Sequence, residues 1–118
     1  MARDRRLQAS EEFRLVYGKG RRYDTRWFTV FIYPSGLPAH RLGVTASSKA
    51  VGCSVDRNRA KRILREMFRL SAPDLKKTAL NYDWVLNAKR SLLVSNVEVR
   101  TAEFKRIIQQ IVATNPAN

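Results

Sequence analysis

The spacing of apolar positions switches between helical and strand-like periods along this chain, and each switch marks an element. Phe13, Val16 and Tyr17 recur at helical spacing behind Ser10-Glu11-Glu12, a hydroxyl N-cap followed by acids in the first turn. Gly18-Lys19-Gly20 ends that helix. Over residues 23–33 the period drops to two: Trp27, Thr29, Phe31 and Tyr33 alternate with Phe28, Val30 and Ile32, predicting a strand covered at least partly on both faces. Pro34-Ser35-Gly36-Leu37-Pro38 is a turn signal, and residues 41–46 predict a second strand. The spacing makes these two strands a hairpin.

Residues 56–70 give the clearest helix. Ala60, Ile63, Leu64, Met67 and Leu70 share one arc, with Phe68 at its margin. Arg57, Lys61, Arg62, Arg65 and Arg69 share another arc, about 140° wide, with Asn58 inside it. Pro73 limits the helix. Residues 82–88 predict a third strand. Phe104, Ile107, Ile108, Ile111 and Val112 then form an amphipathic helical face that stops near Asn115-Pro116. With no repeat, linker or low-complexity tract, residues 1–118 predict one α+β domain in the order helix, strands, helix, strand, helix.

Charge narrows the partner. The chain carries 23 Lys and Arg against 10 Asp and Glu, a net +13. Residues 1–70 hold 16 of the basic and 6 of the acidic side chains. Such an excess repels itself in the folded state and points to a polyanion. The apolar run 27–32 is far short of the ~20 residues that span a membrane, and Met1-Ala2-Arg3-Asp4-Arg5-Arg6-Leu7 does not lead into an apolar signal core. The expectation is a cytoplasmic protein that binds nucleic acid and no membrane. A single cysteine, Cys53, forms neither an internal disulfide nor a cysteine-built zinc site, and reads as a small semi-buried residue.

Catalytic chemistry is hard to place. Phosphodiester hydrolysis calls for carboxylates gathering metal ions or for a histidine acid–base pair. His40 is the only histidine and reads as a surface loop residue. The acids are scattered singly except Glu11-Glu12, and Gly18-Lys19-Gly20 lacks the phosphate-loop spacing. The cationic arc is more informative. Pairs such as Arg57/Lys61, Lys61/Arg65 and Arg65/Arg69 repel at i, i+4, so a merely solvated face would interleave Glu. Phosphate binding explains the sorting better. Near Lys19, Arg21, Arg22 and Arg26, the rings of Phe13, Tyr17, Trp27, Phe31 and Tyr33 suit stacking on single-stranded RNA, with core packing as the alternative for each.

The stretch Ser48-Lys49-Ala50-Val51-Gly52-Cys53-Ser54-Val55-Asp56-Arg57-Asn58-Arg59-Ala60-Lys61-Arg62-Ile63-Leu64-Arg65-Glu66-Met67-Phe68 resembles the signature of the bacterial ribonuclease P protein family. Phe13-Arg14-Leu15-Val16-Tyr17 with Gly20, Leu42-Gly43-Val44-Thr45 and Asp83-Trp84-Val85-Leu86-Asn87-Ala88-Lys89 resemble its flanking elements in the same order. The resemblance implies a four-stranded mixed sheet packed with about three helices. It also implies a left-handed β-α-β crossover, as in the second domain of a small-subunit ribosomal protein.

It implies further that Lys49, Arg57, Asn58, Arg59, Lys61, Arg62 and Arg65 face a catalytic RNA subunit, with Arg69 continuing the stripe. Phe13, Tyr17 and Phe31, with Arg26, Trp27 and Tyr33, would line a cleft for the 5′ leader of precursor tRNA. The RNA would perform the cleavage with Mg²⁺, and the protein would contribute no catalytic residue and no metal ligand of its own. Ala50 and Cys53 depart from the family pattern, where Lys and Asn are common, so the loop's phosphate contacts are not carried over. Rival readings are another small basic RNA-binding protein, such as a ribosomal protein, and a metal-dependent nuclease acting alone.

Overall fold

The computed structural model describes residues 6–114. Helix α1 (Ser10–Lys19) leads into strands β1 (Arg21–Asp24), β2 (Phe28–Pro34) and β3 (Arg41–Thr45). Helix α2 (Ser54–Leu70), the single turn α3 (Ala72–Leu75), strand β4 (Tyr82–Ala88), a 3-10 turn (Arg90–Val94) and helix α4 (Val97–Thr114) follow. The stop signal at Asn115-Pro116 lies outside the described residues. The sheet order is β1-β2-β4-β3, antiparallel except for the β3–β4 pair. This is the expected α+β domain with a four-stranded mixed sheet, with α3 added to the three expected helices.

The expected hairpin between the strands of residues 23–33 and 41–46 is not formed. β4 lies between β2 and β3 and pairs with both. It is buried at every position but Asn87, the signature of a central strand. The 34–38 turn signal is real, but it crosses the end of β4. Ser35 N–H donates to Asn81 O at 3.0 Å, and Asn81 Nδ2 donates to Leu37 O at 3.0 Å. The hairpin that does form lies inside the apparent long strand. Thr25 Oγ1 accepts from the Trp27 and Phe28 N–H groups, and this turn folds β1 back on β2.

The sheet has two unlike faces. Phe28, Val30, Ile32, Leu42, Trp84 and Leu86 join Ala60, Leu64, Met67 and Phe68 of α2 and Phe104, Ile107, Ile108 and Ile111 of α4 in the main core. Trp84, with no exposed surface, packs edge-on against Phe68 and Phe104. Leu70, expected in the apolar arc of α2, is exposed because the helix ends there. The other face carries a smaller cluster of Leu7, Val16 and Val85 under α1.

Ser10 is not the N-cap of α1. That position is Ala9, and Glu12 reaches back so that its Oε1 accepts from the Gln8 and Ala9 N–H groups, each at 3.0 Å. The acid of the first turn replaces the hydroxyl. Gly20 closes the helix where no side chain fits: a Cβ there would lie 2.4 Å from Val16 O and 2.5 Å from Ile32 O.

Candidate nucleic-acid interface

α1 lies close to the sheet because Gly43 leaves room for Phe13. A Cβ on Gly43 would stand 2.5 Å from Phe13 Cζ. Phe13, Phe31 and Tyr33 close half-buried over Leu7, Val16 and Val85. Tyr17 meets Phe31 edge-on, with centroids 4.8 Å apart. The Tyr17 hydroxyl donates to Asn87 Oδ1 at 2.8 Å, and Thr45 Oγ1 donates to the same oxygen at 2.7 Å. Register places Arg22 beside Phe31 as its cross-strand partner. Phe13, Tyr17, Phe31 and Tyr33 are thus gathered on one surface with a cation at its edge. Asn87, which sequence reasoning missed, is the polar centre of its rim.

Trp27 does not join them. Alternation would put it on the face of Phe31, but the turn at Thr25 resets the phase, and Trp27 packs against the main core on the other side. Arg26 goes with it, its guanidinium 5.9 Å from the Trp27 ring centre.

α2 buries Ala60, Leu64, Met67 and Phe68 and turns its cationic arc outward. Asn58, Arg59, Arg62, Arg65 and Arg69 are exposed, Arg57 and Lys61 half-buried, and Lys49 exposed in the loop before the helix. Among the described residues none of Lys49, Arg57, Lys61, Arg62 and Arg65 pairs with a carboxylate. Arg59 and Arg69 are partly committed, Arg59 to Leu93 O at 3.3 Å and Arg69 to Glu66.

Two further arginines extend this surface, and no periodic signal marked them. Partial desolvation of its guanidinium, then the like charge of Arg6, holds exposed Arg65 below the usual guanidinium range. Burial, then Arg59, does the same to Arg100. Cys53 is exposed rather than semi-buried, because it stands at the N-cap of α2 in the loop that follows buried Val51.

Three other polar groups, His40, Asp83 and Glu12, are engaged within the fold. His40 is not a free loop residue. Its Nδ1 accepts from the Tyr82 N–H at 2.9 Å and from the Trp84 Nε1–H at 3.0 Å, while Nε2 lies 3.1 Å from Leu75 O. Two donors on Nδ1 require the neutral ring with its proton on Nε2, and burial holds the His40 pKa below its ordinary 6.5. Asp83 and Glu12 are both engaged by Arg41. Among the described residues no three His, Cys, Asp or Glu side chains gather to hold a metal ion.

A family model for ribonuclease P matches residues 1–112. The chain belongs to the ribonuclease P protein family. It is similar to the ribonuclease P protein component of Clostridium kluyveri, 38% identical over 86 residues that cover 73% of this chain and 75% of that protein. The component from Caldanaerobacter subterraneus is 30% identical over 105 residues, 89% of this chain and 87% of its own length. Two solved ribonuclease P proteins share the fold. That of Thermotoga maritima has a TM-score of 0.76 at 23% identity, covering 90% of this chain and 96% of its own. That of Staphylococcus aureus has 0.74 at 24%, covering 91% and 96%. Membership makes the chain a protein component of a tRNA-processing ribonucleoprotein.

Proposed function

We propose that this ribonuclease P protein is a non-catalytic RNA-binding subunit with two working surfaces. Lys49, Arg57, Asn58, Arg59, Lys61, Arg62, Arg65 and Arg69 hold the phosphates of the RNA subunit. Phe13, Tyr17, Phe31 and Tyr33 hold the single-stranded 5′ leader of precursor tRNA, while Arg26 and Trp27, on the other side of the sheet, are withdrawn from that role. The RNA subunit cleaves with Mg²⁺ that it binds itself; Glu12, Asp83 and His40 are engaged within the fold.

The observation that carries this reading is the α2 arc: Arg57, Lys61, Arg62 and Arg65 stand adjacent with no carboxylate partner among the described residues. Phosphates relieve that repulsion and release counterions. The leader role rests on half-buried rings beside Arg22, where bases can stack while the backbone meets a cation. No described helix is long and apolar enough to cross a membrane, which agrees with a place in the cytoplasm beside its precursor substrates.

The test is cleavage of precursor tRNA by protein alone, by RNA subunit alone and by both. Protein alone should be inactive, RNA alone active at high Mg²⁺, and the pair active at lower Mg²⁺ with a preference for leader-bearing substrate. Robust cleavage by RNA-free protein would overturn the reading.

A further inference from the structure

A cleft of about 600 Å³ lies between the C-terminal half of α2, α3 and the loop holding Pro38 and His40. Small-ligand sites commonly enclose about 300–1,000 Å³. Besides Arg69, four cations line it: Arg6, Arg62, Arg65 and Lys76. None of them pairs with a carboxylate among the described residues, and the one acid lining the cleft, Glu66, is taken by Arg69. Pro38, Phe68 and Leu75 supply apolar wall, with Phe68 and Leu75 buried.

Arg6 is brought here by its bridge to Leu42, which lays the chain along the free edge of β3. Partial desolvation first, and then the like charge of Arg6, disfavours the charged form of Arg65. Two guanidiniums in this setting are stabilised by an anion between them. Cations around an apolar wall divide space as a nucleotide does, with phosphate at the guanidiniums and base against carbon.

We propose that this cleft binds a nucleotide, its phosphate held by Arg6 and Arg65 and its base laid against the wall formed by Phe68 and Pro38. The proposal rests on the reading of α2 as an RNA-binding face, because Arg62 and Arg65 belong to both. The occupant is an unstacked residue of the RNA strand that runs along α2. A free mononucleotide presents the same chemistry.

The full-length protein is titrated with adenosine 3′,5′-bisphosphate, inorganic phosphate or adenosine, following backbone amide shifts. The bisphosphate should give saturable shifts at Ala39, Lys76 and Thr78, with phosphate and adenosine each about tenfold weaker. The double change Arg6→Ala, Arg65→Ala should abolish the shifts without lowering the melting temperature. Ala72→Trp, from an exposed position on the wall, should block binding with every charge in place.

Phosphate binding as tightly as the bisphosphate, or no shifts at the cleft, would overturn the proposal. Displacement of the bisphosphate by the RNA subunit supports an RNA residue as occupant, whereas bisphosphate retained in the assembled particle overturns that source. Arg57→Ala, outside the cleft, tests the α2 reading separately: it should weaken RNA binding and leave bisphosphate binding unchanged. RNA affinity untouched by Arg57→Ala, with bisphosphate still bound, would sink the α2 reading and not the cleft.

Discussion

Arg41 and Asp83 face each other across the parallel strands β3 and β4, joined by two hydrogen bonds of 2.8 Å between guanidinium and carboxylate. The third Arg41 nitrogen, Nη1, donates to Glu12 of α1. One side chain thus couples the sheet to the helix whose position shapes the aromatic surface. Side-chain exposure is 20% for Arg41 and 6% for Asp83, so solvent screens the pair little. Arg41→Ala strands both carboxylates and should cost about 3–5 kcal/mol, the range for breaking a buried pair from one side. Denaturant unfolding measures it. The double change Arg41→Met, Asp83→Leu should recover most of the loss, because it leaves no uncompensated charge between the strands.

Glu12 makes the same junction sensitive to acid. Its carboxyl is held below the ordinary 4.5, first by the N–H groups of Ala9 and Gln8 and then by Arg41. A folded pKa lowered in this way gives stability that is complete above 4.5 and is lost as pH falls through the lowered value. Glu12→Gln should therefore flatten the decline of melting temperature below pH 4.5 while lowering stability near neutrality. An unchanged acid limb in that variant would remove Glu12 from the account.

His40 gives a second acid transition at higher pH. The folded ring is neutral because Nδ1 accepts two N–H groups, and its pKa is depressed below 6.5. The unfolded chain takes up a proton first, so stability falls as pH drops below 6.5. His40→Ala removes that slope and leaves the Tyr82 and Trp84 donors without their acceptor, at about 1–3 kcal/mol for each buried donor. Below its melting temperature the variant should still support precursor cleavage at the wild-type rate. A loss of turnover at full folding would give His40 a part in the chemistry.

The parts legible in the sequence were those set by local period. α2 and α4 announced themselves through apolar arcs that each helix needs to bury, and the sorting of Arg57 to Arg69 onto the opposite arc was visible on the same count. Strand pairing was not local. β3 finds its partner some forty residues on, and only the near-continuous apolar run of β4 hinted that it would sit centrally. Trp27 was misplaced because a turn held by one Thr25 hydroxyl shifts the phase of alternation. His40 looked idle because its two donors, on Tyr82 and Trp84, come from a strand the sequence did not place beside it. Arg6 and Arg100 carried no periodic signal at all.

The cationic stripe separates from the fold cleanly at Arg57 and Lys61. Neither side chain pairs with a carboxylate among the described residues, and the two repel at i, i+4. Arg57→Ala combined with Lys61→Ala should leave the melting temperature unchanged or slightly raised. Binding to the RNA subunit should weaken, and the slope of log K against log salt should shrink by about two ions' worth. A slope identical to wild type would reduce this part of α2 to a solvated face.

The aromatic surface can be separated from the core by comparing Tyr17 with Phe28. Phe28 has no exposed surface and packs against Phe104, so Phe28→Ala should cost about 3–5 kcal/mol and affect every substrate alike. Tyr17 is exposed at 37%, and its attachments are an edge contact with Phe31 and a hydrogen bond to Asn87. Tyr17→Phe should lose only that bond, about 0.5–1.5 kcal/mol, and keep the ring. Tyr17→Ala should lose the stacking surface, worth about 1–3 kcal/mol per base. Affinity for leader-bearing precursor should therefore fall about tenfold in Tyr17→Ala and little in Tyr17→Phe, with leaderless tRNA bound as before by both. Equal losses for both substrates in Tyr17→Ala would return this ring to packing and remove the leader from α1.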